Sequence, residues 1–129
     1  MMTVASTGKA TELAEDSEAE DSSLDMAVIS SRTETVLNLR MDTTTRAAMD
    51  GHLPGLAKGL NRLLGEDLGA EVDSEVRELV RRGTRLIDLT NRPTAETPAF
   101  GTFLYLRDVA LVTRRLLWIY SERNGLDAP

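Results

Sequence analysis

The chain lacks cysteine and has a single histidine, His52, among its 129 residues. Without thiols it can form no disulfide, no thiolate zinc site and no cysteine nucleophile. It also lacks a Ser-His-Asp signature, a phosphate-binding glycine loop and a metal-spaced cluster of ligands. A mechanism based on carboxylates alone stays open, but no pair is marked by its spacing. The sequence therefore predicts no catalytic residue, no metal and no cofactor, and favours a protein that is not an enzyme.

Long apolar runs are missing as well. The most apolar stretch, residues 100–120, contains Arg107, Asp108, Arg114 and Arg115. Each of these would cost about 2.5–3.5 kcal/mol at the centre of a bilayer. The N-terminus shows no basic region followed by an apolar one, as a secretory signal requires. We expect no membrane partner and a cytoplasmic location.

Basic residues are scarce at the N-terminus. Residues 1–25, the acidic arm, contain one lysine and seven acids and carry a net charge of −6, which is the net charge of the whole chain. A segment this acidic and this poor in apolar residues is expected to be disordered. The predicted organisation is the arm, one folded domain over 26–125, and a short tail over 126–129.

Apolar residues of the domain recur at helical spacing in four segments. We predict a short helix near 29–41, although partial alternation over 36–41 would also suit a strand. A second helix begins after Asp42 as its N-cap and ends at Gly65. Its leucine stripe keeps its phase across Pro54, which indicates one kinked helix. The stripe consists of Met49, Leu53, Leu56, Leu60, Leu63 and Leu64.

Two further helices complete the prediction. The third runs from Asp73 to about Thr90, and the fourth from the N-cap Thr97, with Pro98 as its first residue, to Asn124. Four helical segments with short links and almost no strand pattern indicate an all-α fold. We expect a small helical bundle of three long helices plus a short N-terminal helix.

The second helix carries small residues at steps of four: Ala47, Gly51, Gly55 and Gly59. Each glycine costs about 1 kcal/mol relative to alanine in a helix. We interpret this ridge as the close approach of a neighbouring helix; the alternative is a groove or a switchable hinge.

The last helix has a main apolar face and, within its charged face, a second line of Leu104, Leu111 and Trp118 spaced by seven, here called the outer stripe. Either the segment 26–41 covers this stripe, or the stripe is a surface for a protein partner or for self-association. Tryptophan and arginine are enriched at interface hot spots. The predicted partner-binding residues are Leu104, Arg107, Leu111, Arg114, Arg115 and Trp118.

The sequence raises two other functions. A small-molecule pocket between the kinked helix and the last helix would involve His52, Gly55, Tyr105 and Tyr120. Nucleic-acid binding through the arginines of the third helix is disfavoured, because residues 73–92 have a net charge of only +1 and carry no aromatic side chains for base stacking.

The sequence also resembles a known family. Short stretches carry the likeness: Gly51-His52-Leu53 in the second helix, 78–82 and 85–88 in the third, and 106–110 in the fourth. Over about residues 30–121 they resemble small helical proteins of unknown function from GC-rich filamentous bacteria, sometimes labelled natural-product biosynthesis proteins. The resemblance implies a helical fold and a cytoplasmic setting, and it assigns no catalytic residue.

Together these features favour a non-enzymatic interaction or accessory protein, linked through the resemblance to specialised metabolism. The alternative is a small-molecule-binding protein or minor enzyme of natural-product biosynthesis.

Overall fold

The computed structural model describes residues 24–126. Within that range the chain forms four α-helices and a 3-10 turn at Leu89–Asn91, and no strand. The all-α prediction is confirmed. The predictions for the arm before residue 24 and for the tail after residue 126 lie outside the described residues. The helices are α1 (Met26–Leu37), α2 (Arg46–Leu64), α3 (Ser74–Ile87) and α4 (Ala99–Arg123).

The described structure includes two residues that the sequence assigned to the arm. Asp25 is the N-cap of α1, and its carboxylate accepts a hydrogen bond from the Val28 N–H at 3.1 Å. Leu24 is partly buried against the core. Because one residue caps α1 and the other packs, both belong with the helices.

The first helix differs from its prediction at both ends. It begins at residue 26, three residues early, and ends at residue 37. The Asn38 N–H donates to the Glu34 carbonyl at 3.0 Å and closes the last turn. The strand alternative for 36–41 is therefore wrong for the helical residues 36–37, and residues 38–41 form a link.

The second helix starts three residues later than predicted. Thr45 is its N-cap, accepting a hydrogen bond from the Ala48 N–H at 3.1 Å. The predicted cap, Asp42, instead forms an ion pair with Arg40 at 3.1 Å. The helix runs without interruption through Pro54, which confirms that the leucine stripe belongs to one continuous element.

The third and fourth helices follow their predicted signals more closely. Asp73 caps α3, as expected. The N-cap of α4 is Pro98 rather than Thr97, because the Thr97 hydroxyl accepts from the Thr94 N–H at 2.9 Å in the preceding turn. The chain leaves α4 at Gly125, whose φ of +66° favours glycine.

The core lies around α4, which contacts each of the other three helices. Most residues of its inner face and of the leucine stripe of α2 are buried and the others are partly buried, which confirms both apolar faces. The largest fully buried apolar side chains are Met49, Leu56, Leu60 and Leu63 from α2, and Leu106, Val109, Leu116 and Leu117 from α4.

The glycine ridge of α2 faces α1 over part of its length. A Cβ at Gly59 would lie 3.4 Å from Cγ1 of Ile29, and one at Gly55 would lie 3.1 Å from Nε of Arg32. A Cβ at Gly51 would meet nothing within 4 Å. The interpretation as close helix approach therefore holds for two of the three glycines.

Candidate interaction surface on the last helix

The outer stripe lies on the face of α4 that points away from the core. Leu104, Leu111 and Trp118 expose 43%, 36% and 42% of their surface. Residues seven apart are nearly two full turns apart, so these three form one narrow line. Ser30 and Glu34 of the segment 26–41 line a groove with Trp118, but the segment leaves all three stripe side chains partly exposed and so does not fully cover the stripe.

Phe100 extends the stripe by one turn and is 59% exposed. At about 100° per residue, Phe100, Leu104, Leu111 and Trp118 fall within about 40° of one another around the helix. We call these four residues the extended stripe; at about 1.5 Å per residue it is about 27 Å long. Phe100 was not predicted, although its place four residues before Leu104 was a usable signal.

Ion pairs border the stripe on its α3 side. Arg115 lies 3.1 Å from Glu75, and Asp108 lies 3.6 Å from Arg82. All four side chains remain about half exposed. Pairs of this kind contribute about 0–1 kcal/mol, so a partner can replace them at little cost.

The α1 side of the stripe is bordered more loosely. Arg114 lies 3.8 Å from Glu34, near the limit of an ion pair, and both side chains are 54% exposed. Arg107 is exposed, and its guanidinium makes no hydrogen bond or ion pair with residues 24–126. Two arginines are thus available on this side for an acidic partner.

Trp118 forms a ridge between two shallow grooves. One, of about 140 Å³, is lined by Ser30 and Glu34 of α1 with Leu117 of α4. The other, of about 280 Å³, is lined by the loop before α3, where Val72 is 87% exposed. Both are smaller than the roughly 300–1,000 Å³ typical of small-molecule pockets. Neither groove therefore supports a small-molecule site.

The four residues of the alternative pocket face different neighbours. Gly55 lies under Arg32 of α1. The Tyr105 hydroxyl donates to the Leu86 carbonyl of α3. Burial raises the pKa of Tyr105, and the nearby positive charge of Arg92 opposes that shift. His52 and Tyr120 are partly buried, and none of the four lines either groove beside Trp118.

Two other kinds of feature are absent from the described part of the chain. Among residues 24–126 no three His, Cys, Asp or Glu side chains come together as metal ligands. No helix in that range is long and apolar enough to cross a membrane. Comparisons of the chain with protein families, with curated proteins and with solved structures find no match. The resemblance to the family from filamentous bacteria remains a prediction.

Proposed function

We propose that this protein is a non-enzymatic interaction module, a small helical bundle that binds a protein partner through the outer face of α4. The working surface is the extended stripe together with Arg107, Arg114 and Arg115, here called the α4 surface. The cytoplasm is its proposed compartment, and an accessory role in specialised metabolism its proposed setting.

The observation that carries this proposal is the exposure of Trp118 at the C-terminal end of the extended stripe. A tryptophan is among the largest apolar side chains, and a monomer gains most by burying it. Here it is 42% exposed, with Leu111 one heptad before it. Arginines lie on both sides of the line, and aromatic residues beside arginine are typical of interface hot spots.

The test compares which proteins travel with the full chain when it is purified from its native cells. Leu111→Ser changes the middle of the stripe, and Leu89→Ser is its control. Leu89 is 76% exposed on the 3-10 turn and is not part of the α4 surface. We expect a partner retained by the parent chain and by Leu89→Ser, and lost with Leu111→Ser.

The partner found in this way is then purified and titrated against each variant. Loss of a hot-spot contact weakens binding by about 2 kcal/mol, or roughly 30-fold in Kd. Equal affinity for Leu111→Ser and the parent chain would contradict the proposal.

Small-molecule binding ranks second. Gly55 and Tyr105 contact different helices, so they support no shared pocket. A ligand that stabilised the chain and lost this effect on Tyr105→Phe would favour this function instead.

A further inference from the structure

We propose that the chain carries its own ligand for the α4 surface: residues 1–23 of the acidic arm lie along the extended stripe and place their carboxylates on its arginines. This inference rests on the surface described above and needs no external partner. It makes the arm an internal competitor, and it gives the external partner a stated chemistry. That partner is an acidic segment with a few apolar side chains.

Charge complementarity is the first support. Residues 1–23 contain one lysine and six acids, a net charge of −5, and all six acids lie within residues 12–21. The described α4 helix contains four arginines and two acids, a net charge of +2. Arg107 is unpaired among residues 24–126, and Arg114 is held only at 3.8 Å from Glu34. Leu13, within this acidic run, can add an apolar contact.

The place where the arm joins the helices is the second support. Residues 1–23 are joined to the described structure at Leu24, just before α1. Ser30 and Trp118 line the same groove, and Ser30 is about 6 Å along the helix axis from the first residue of α1. The arm therefore starts close to the Trp118 end of the stripe.

The length of the arm is the third support. Twenty-three residues can span at most about 76–83 Å at about 3.3–3.6 Å per residue, so their length is sufficient to follow the whole stripe. The extended stripe is about 27 Å long at about 1.5 Å per residue. A tethered segment is present at an effective concentration of about millimolar, so even a weak contact is populated.

A second copy fits the same surface less well. Pairing two α4 helices would bring Arg107 and Arg114 of each copy towards arginines of the other, and like charges in contact oppose association. The acidic arm brings no such like charge to the arginines.

Trp118 makes the test direct, because it is the single tryptophan of the chain. The experiment measures how strongly acrylamide quenches the Trp118 fluorescence of the full-length protein, at low salt and at about 0.5 M salt. In the test variant the six acids Glu12, Glu15, Asp16, Glu18, Glu20 and Asp21 become the corresponding amides. At low salt we expect its quenching constant to be about twofold that of the parent chain, and salt to raise the parent towards the same value by screening.

Two arginine variants test the other side of the contact. Arg107→Gln should raise quenching at low salt, whereas Arg85→Gln, on the exposed surface of α3, should not. Both arginines are exposed, and neither guanidinium makes a hydrogen bond or ion pair with residues 24–126. Circular dichroism confirms that each variant keeps its helices.

Equal quenching of the parent chain and the six-amide variant at low salt would overturn the proposal. Quenching that falls as the protein concentration rises would overturn it in favour of a second copy. The assay contains no partner protein, so its failure leaves the proposed function intact. Failure of the partner titration would in turn leave the arm contact intact.

Discussion

Gly83 of α3 lies so close to Leu64 of α2 that a Cβ added at position 83 would stand 3.2 Å from the Leu64 Cδ2 atom. Cδ1 of Leu60 would be at 3.3 Å and Cγ1 of Val112 at 3.5 Å. Leu60 and Val112 are buried. The close approach of α3 to α2 therefore depends on glycine, which has no side chain, at position 83.

Gly83→Ala is expected to destabilise the fold. Overpacking costs about 1–3 kcal/mol. Because Leu60 and Val112 are buried and cannot move aside easily, we expect this cost to outweigh the gain of about 1 kcal/mol from replacing glycine in a helix. Gly51→Ala is the matched control, because nothing lies within 4 Å of its added Cβ. Its free energy of unfolding should rise by about 1 kcal/mol. Urea unfolding of both variants measures the difference, and a gain for Gly83→Ala would show that Leu64 yields.

Thr102→Val is expected to stabilise the protein. Its hydroxyl oxygen is buried and has no hydrogen-bond partner within residues 24–126. An unsatisfied buried polar group costs about 1–3 kcal/mol, and valine keeps nearly the same shape without it. Thr113 is equally buried on α4, but its hydroxyl donates to the Val109 carbonyl at 2.6 Å.

Thr113→Val is therefore the control for Thr102→Val, and we expect it to lose about 0.5–1.5 kcal/mol. Thermal unfolding of the two variants should show Tm shifts of opposite sign. A lower Tm for both variants would mean that the Thr102 hydroxyl is satisfied in solution.

Trp118→Ala separates the stability of the fold from the binding function. Full truncation of a buried tryptophan costs about 3–5 kcal/mol, and the 42% exposure of Trp118 lowers our expectation to about 2 kcal/mol. Binding to the partner should weaken by at least about 2 kcal/mol. Thermal melts and analytical ultracentrifugation give the two numbers, and a destabilised variant with unchanged association would contradict the interface.

The raised pKa of Tyr105 predicts that the protein loses stability at alkaline pH. Its pKa is raised in the folded state, mainly by burial, so the neutral phenol is the form that the fold favours. This contribution is complete below the unfolded pKa of about 10 and is lost as pH rises through the raised folded pKa. Tyr105→Phe removes the hydrogen bond to Leu86 and should lower stability by about 1 kcal/mol at neutral pH.

The alkaline part of this prediction is read from unfolding free energies at pH 9 to 11, as a series of roughly half-unit steps around the reference value of about 10. The parent chain should lose stability faster than Tyr105→Phe over this range. Parallel profiles would show that Tyr105 ionises alike in the folded and unfolded chain.

Local sequence signals predicted that each helix exists more accurately than they predicted the residue at which it begins. The leucine stripe kept its phase through Pro54, and Asp73 capped α3, because periodicity and a single strong cap decide those features. The start of α2 was wrong because three threonines follow Asp42, and an ion pair with Arg40 removes that aspartate from competition. Which of several adjacent caps is used depends on such contacts.

The spacing of the residues predicted that the outer stripe forms one line on α4, but it could not predict that this line is exposed to solvent. Spacing by seven placed Leu104, Leu111 and Trp118 on one line. Whether α1 would cover that line depends on where α1 packs, and this is fixed by contacts such as Ile29 against Gly59. Phe100 was missed because the stripe was not followed back to the first turn of the helix.

The packing of α4 against three neighbours limits where the protein can acquire new specificity. Substitutions on its inner sides disturb two helices at once, so drift there is constrained by the fold. The outer side is free of that constraint, and Phe100, Leu104, Arg107, Leu111 and Arg114 can vary without repacking the interior. If the proposed function holds, a designed change of partner would be made on this face of α4, one residue at a time.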